Sequence, residues 1–131
     1  TSGPCSVSQK AAEAAYTTSQ ECVETMRKAF ERRRDLIVEL ASQIPGLEVN
    51  KPEGAFYLFP KCSSFFGKSY NGKTINNSTD LAMFLLEVGH VATVGGDAFG
   101  DPYCFRMSYA TSDDNIREAL KRIKETLALL S

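Results

Sequence analysis

A lone arginine in the middle of an apolar strand constrains this chain more than any other feature. The stretch His90–Thr111, HVATVGGDAFGDPYCFRMSYAT, reads as a short strand over His90–Val94, a turn broken at Gly95-Gly96 and Gly100-Asp101-Pro102, and a second strand over Cys104–Tyr109. Alternation puts Phe105, Met107 and Tyr109 on one face and Cys104, Arg106 and Ser108 on the other. Burying the first face holds Arg106 at the sheet, where a guanidinium is costly to cover unless an anion meets it. The planar fork of an arginine matches a carboxylate with two parallel hydrogen bonds. Arg106 is therefore the candidate anion-binding residue.

The rest of the chain supplies helices to cover such a strand. Ser2-Gly3-Pro4 opens a first helix, whose Val7, Ala11, Ala14 and Ala15 form a small-residue face suited to close packing against another element. Ser19 caps a long helix over Gln20–Ile44, with Val23, Phe30, Ile37 and Ile44 recurring every seven residues and Pro45-Gly46 stopping it. Arg32-Arg33-Arg34 diverge around this helix and read as partners of Glu31, Asp35 and Glu39 rather than as an anion site. Leu47–Asn50 and Ala55–Phe59 read as two strands paired antiparallel across Lys51-Pro52-Glu53-Gly54. Lys61–Asn77 is a long loop in which Asn71-Gly72 can form a tight hairpin turn. Ser78 caps a helix over Thr79–Val88 with a stripe of Leu81, Phe84, Leu85 and Val88, ended by Gly89. Thr111 or Ser112 caps a last helix, whose stripe is Ile116, Leu120, Ile123, Leu127 and Leu130. The order α-α-β-β-α-β-β-α predicts an α+β fold, with a small, mostly antiparallel sheet of about four strands covered by helices.

Composition narrows the partners. The 131 residues suit one domain, and 43% hydrophobic with 24% charged residues is ordinary for a globular chain. A net charge of −1 gives no electrostatic reason to expect nucleic acid or an anionic membrane. No apolar run approaches the roughly 20 residues a membrane helix needs, and no signal-peptide pattern opens the chain. Cys5, Cys22, Cys62 and Cys104 are far apart in sequence and there is one histidine, His90, so neither a metal site nor a disulfide framework is expected. Reduced thiols in a cytoplasmic protein are the expectation. His90 reads as a surface or loop residue. Gly95–Gly100 lacks both the Walker lysine and the G-x-G-x-x-G spacing of a nucleotide loop.

EGAFY at Glu53–Tyr57, VGGDAFG at Val94–Gly100 and FRMSYAT at Phe105–Thr111 stand in an order and spacing that resemble the C-terminal domain of class I pyridoxal-phosphate aminotransferases, nearest the aspartate aminotransferase type. The resemblance runs over the whole chain from TSGP at Thr1–Pro4. It implies that the chain, residues 1–131, is the small domain of a larger protein, with residues 1–18 as an interdomain or dimer-contact segment. It implies a transaminase moving an amino group between an amino acid, aspartate by overall likeness, and a 2-oxo acid, with pyridoxal phosphate as cofactor. Arg106 then binds the substrate α-carboxylate, Phe56 and Gly54 line the substrate site, and Gly95–Gly100 lies at its mouth with Phe99 packed beneath. The family's Schiff-base lysine and cofactor-binding residues belong to a region before TSGP, so no catalytic or cofactor-binding residue is expected in this chain and the chain alone is expected to be inactive. The implied partners are the large domain of the same chain and a second copy in a homodimer. Two other readings fit the residues: the effector domain of an aminotransferase-like transcription regulator, and a free-standing α+β ligand-binding module with Arg106 in a structural ion pair.

Overall fold

Burial of one side of the arginine-bearing strand creates the core. A computed structural model of the chain describes residues 2–131; Thr1, the first residue of the TSGP stretch, lies outside the described residues. The elements are α1 (Ser6–Thr17), α2 (Glu21–Ser42), β1 (Tyr57–Leu58), β2 (Ser69–Tyr70), β3 (Lys73–Thr74), α3 (Ser78–Glu87), β4 (Val94–Gly95), β5 (Phe105–Ser108) and α4 (Asp113–Leu127). Single 3₁₀ turns occupy Ser63–Phe65 and Gly96–Phe99. The main sheet is antiparallel with the order β1-β5-β4, so β5 is central.

Phe105, Met107 and Tyr109 are buried on one side of β5, together with Leu58 of β1. Ile37 and Ala41 from α2 with Ile44 just past its end, Leu81 and Leu85 from α3, and Ile116, Leu120, Ile123 and Leu127 from α4 with Leu130 just past its end close over them. All five stripe positions of the last helix are buried, and Ser112 Oγ accepts from Asn115 N–H as its cap. This is the α+β architecture the pattern predicts, with helices on one face of a small antiparallel sheet.

Several details depart from the expectation. Pairing between Leu47–Asn50 and the next strand shrinks to one bridge, Glu48 with Lys61, held by two backbone hydrogen bonds of 3.1 and 3.0 Å. The segment from Phe56 onward pairs with β5 instead. Its register holds from the Tyr109 N–H donating to Phe56 C=O (2.8 Å) to the Lys61–Cys104 bridge. The sheet therefore has three strands. His90–Val94 is strand only at its end, because His90 adopts a left-handed backbone (φ 54°) right after the helix stop. In the Lys61–Asn77 loop, Asn71 and Gly72 (φ 48° and 78°) turn the β2–β3 hairpin, the conformation an Asn-Gly pair favours. Asn77, not Ser78, caps α3, its side chain accepting from Asp80 N–H. Val23 and Met26, the early part of the α2 stripe, are exposed, as is the whole of α1. Arg32 and Arg33 reach across to Asp113 at the start of α4 (3.0 and 3.6 Å), and only Arg34 pairs locally, with Asp35 (2.8 Å) and Glu31 (3.7 Å). These two cations hold the Asp113 carboxyl below the usual carboxylate range, chiefly through the Arg32 hydrogen bond.

All four cysteines are free, with Cys62 and Cys104 buried. Burial, followed by their proximity to each other and to Asp101, pushes Cys62 up to about 12, and burial with the Asp101 hydrogen bond pushes Cys104 up to about 11. A thiol raised above its unfolded value of about 8.5 contributes stability below that pH and loses it as pH climbs through the folded value. Unfolding stability is expected to decline from about pH 8.5 toward pH 11–12. In the native protein Cys62 and Cys104 are expected to resist iodoacetamide near about pH 8 and to react once denatured; rapid native labelling at either, read by mass spectrometry, would show the thiols to be accessible.

Candidate functional site

Arg106 lies on the side of β5 turned away from the helices. The register places Val94 beside it on β4, and continuing the β1 pairing places Phe59 on its other flank. The guanidinium carbon sits 4.4 Å from the Phe99 ring centroid and 5.7 Å from that of Tyr57. Both distances are within cation–π range. Phe99 is met edge-on by Phe59 (6.0 Å, 88°) and Tyr57 by Phe56 (5.6 Å, 88°). Among the described residues no carboxylate lies within 4.0 Å of the Arg106 guanidinium, whereas Arg27, Arg32, Arg33, Arg34 and Arg122 all have acidic partners. Such a half-buried cation, flanked by rings and lacking a counter-ion, is arranged to receive an anion.

The turn that carries Phe99 is pinned to the start of α3. The buried Ser78 Oγ accepts from Gly96 N–H at 3.0 Å, and Thr79 Oγ1 donates to Asp97 Oδ2 at 3.3 Å. A Cβ on Gly96 would collide with the carbonyl oxygens of Asp101 and Cys104, so the turn requires glycine there. Gly100 closes it with φ 86°. Phe99 is thereby presented at the surface against Arg106, not packed beneath the loop as expected.

The ring of the GAFY segment that meets Arg106 is Tyr57, and Phe56 supports it from behind. Gly54 stands apart from this cluster. It lines a separate hollow of about 370 Å³ with Arg27, Phe30, Glu31, Arg34, Ala55 and Tyr109. There the Tyr109 hydroxyl donates to Ala55 C=O (3.0 Å), holding Ala55 in a left-handed conformation (φ 66°) that fixes how the chain enters Phe56. Neither Tyr57 nor the role of Ser78 stands out from sequence. Tyr57 differs from Phe56 only by strand parity, and a serine at a helix start reads first as a cap.

Among the described residues no lysine lies over the rings of the Arg106 cluster. Lys10, Lys28, Lys51, Lys61 and Lys73 pair with acidic residues elsewhere, Lys68 lies over Phe65, and Lys121 and Lys124 are exposed on α4. Among the described residues no group of three or more His, Cys, Asp or Glu could hold a metal ion, and no helix is long and apolar enough to cross a membrane.

An α+β fold presenting, on the open face of its sheet, an arginine with no acidic partner among the described residues is thus what the geometry defines. The profile described as Aminotransferase class I and II matches residues 1–123. An aspartate aminotransferase of Rhizobium meliloti is 46% identical over 132 residues, covering 100% of this chain and 32% of that protein. A bifunctional aspartate aminotransferase and glutamate/aspartate-prephenate aminotransferase of Petunia hybrida is 46% identical over 134 residues, covering 99% of this chain and 28% of that protein. A crystal structure of the aspartate aminotransferase from Rhizobium meliloti superposes on all of the chain with a TM-score of 0.94 at 45% identity, the chain covering 33% of it. The chain belongs to the class I and II aminotransferase family, and it spans about a third of the length of these relatives.

Ser78→Ala is expected to leave the buried Gly96 N–H unpaired and to cost about 1–3 kcal/mol of unfolding free energy, whereas Thr79→Ala, whose hydroxyl is exposed, should cost well under half of that. Urea titration of both variants checks the contrast; equal losses would mean that the Ser78 contact is not what pins the turn.

Proposed function

We propose that this chain is the small domain of a pyridoxal-phosphate-dependent aminotransferase of the aspartate type, and that Arg106 binds the α-carboxylate shared by the amino acid and 2-oxo acid substrates. The observation that carries the reading is the Arg106 guanidinium, held between Phe99 and Tyr57 with no acidic partner among the described residues. The likeness to enzymes named aspartate aminotransferases supports both the reaction and the choice of aspartate.

Pyridoxal phosphate, the cofactor of this family, withdraws electrons from the substrate Cα once bound. The residues described here do not fit it: among them no lysine lies over the rings of the Arg106 cluster, and every lysine is occupied or exposed elsewhere. The cofactor is held by the part of the protein outside this chain, and what this domain contributes is orientation. Two parallel N–H···O bonds from Arg106 fix the carboxylate in plane, and fixing it sets the direction of the Cα–H bond, a large share of the barrier in reactions of this kind. Tyr57, with Phe56 behind it, forms one apolar wall that keeps water from the carboxylate's flank, while Gly54 acts through the turn that sets Phe56 in place. The exposed sheet face and α1 are the surfaces on which the large domain and a second copy dock, residues 1–18 among them. The four free thiols support the cytoplasm as the proposed site of action.

In the intact protein, Arg106→Lys is expected to raise KM and to lower kcat/KM for aspartate by roughly a hundredfold, because a point charge loses the fork. Steady-state kinetics check this, and kinetics equal to the native enzyme's would remove Arg106 from the site. The isolated 131-residue chain mixed with pyridoxal phosphate is expected to show neither a stable visible absorption band nor transamination of aspartate. Either signal would mean that the cofactor is held here after all.

A further inference from the structure

We infer that Phe99 is a positioning residue for Arg106: its ring orients the guanidinium, so that a carboxylate meets an ordered, uncompensated cation. The inference rests on the reading of Arg106 as the carboxylate anchor.

Phe99 is a large apolar side chain left 46% exposed at the tip of a tight turn. Hydrophobic burial does not account for its place, since a polar residue would serve an exposed turn better. Its ring centroid lies 4.4 Å from the Arg106 guanidinium carbon, closer than Tyr57 at 5.7 Å. The ring is set in position without help from Arg106. Phe59 meets it edge-on, and its turn is fixed by the Ser78–Gly96 hydrogen bond, by Asp101 N–H donating to Gly96 C=O (3.2 Å) and by the left-handed Gly100. The plate is therefore built from α3 and the turn, and Arg106 leans on it.

The physical gain has two parts. An arginine side chain has many rotamers, and a ring 4.4 Å from its guanidinium carbon removes most of them before the ligand arrives. A carboxylate partner would also orient it, but would have to be displaced by the incoming anion. A ring attracts the cation through its quadrupole and leaves the in-plane N–H edges free. Stacking uses the face of the guanidinium and recognition uses its edge, so the two do not compete.

The test uses the intact protein loaded with its cofactor and titrates maleate, a dicarboxylate that cannot transaminate, by calorimetry. Phe99→Leu keeps an apolar side chain but removes the ring, and Phe99→Met makes the same comparison should the leucine variant not fold. Phe99→Tyr keeps the ring, and Arg106→Gln tests the anchor. The inference expects ring removal to weaken maleate binding about tenfold, the range of a partly desolvated cation–π contact, with Phe99→Tyr restoring it to within about twofold. Native affinity in the ringless variants, with Arg106→Gln weakened, would overturn the positioning role and leave Arg106 as the anchor. Loss of affinity in Phe99→Tyr equal to that in Phe99→Leu would also overturn it, since the ring would then not be what matters. Unchanged affinity in Arg106→Gln would remove the anchor itself, and the inference with it.

Discussion

The two-residue period of an extended strand is the constraint on which this domain depends. Once Phe105, Met107 and Tyr109 go into the core, Arg106 has to face the other way, whatever the rest of the chain does. The central place of β5 makes that orientation stiff: β1 and β4 grip it on both edges, and helices close over its buried side. A one-residue slip would bring a guanidinium into the hydrocarbon core and expel three large apolar side chains, so hydrophobic burial itself aims the arginine. The arginine needs no network of its own to fix its direction. In the role proposed for Phe99, a ring trims its remaining freedom.

The same economy explains why so much could be read without coordinates. Helix stripes such as Ile116, Leu120, Ile123, Leu127 and the alternation of β5 are local periodicities with strong burial behind them, and both appear as expected. The Asn71-Gly72 turn was legible because only residues tolerant of positive φ suit it. Arg106 was legible as an oddity of charge within an apolar strand. What could not be read depends on distant partners. Strand Ala55–Phe59 has an apparent mate just upstream, yet it pairs with a segment almost fifty residues later, because the turn at Lys51–Gly54 leads the chain away and β5 offers the longer ladder. Arg32 and Arg33 have acidic neighbours on their own helix and still prefer Asp113, which the packing of α2 on α4 brings within reach. In the candidate site, Tyr57 and Phe99 acquire meaning only when the β1–β5 register and the Gly96–Phe99 turn bring them to one guanidinium.

Ser78 shows how one hydroxyl can be misjudged from sequence and matter more for it. The capping duty falls to Asn77, whose side chain reaches the Asp80 N–H, and this frees the serine to bind the backbone of a remote turn. A helix start is thereby coupled to the loop that presents Phe99. The route from α3 to Arg106 runs through one hydrogen bond, one glycine that tolerates no Cβ and one aromatic edge contact, each a short-range interaction with a defined geometry.

The exposure of α1 has a consequence of a different kind. Its twelve residues bury no side chain against the domain, and a helix of that length is marginal in water without tertiary support. In the docking proposed for α1, the surface it meets supplies that nucleation cost. On that proposal, ordering of this segment and docking become one event, and the first helical turns report on assembly while the β5 core does not.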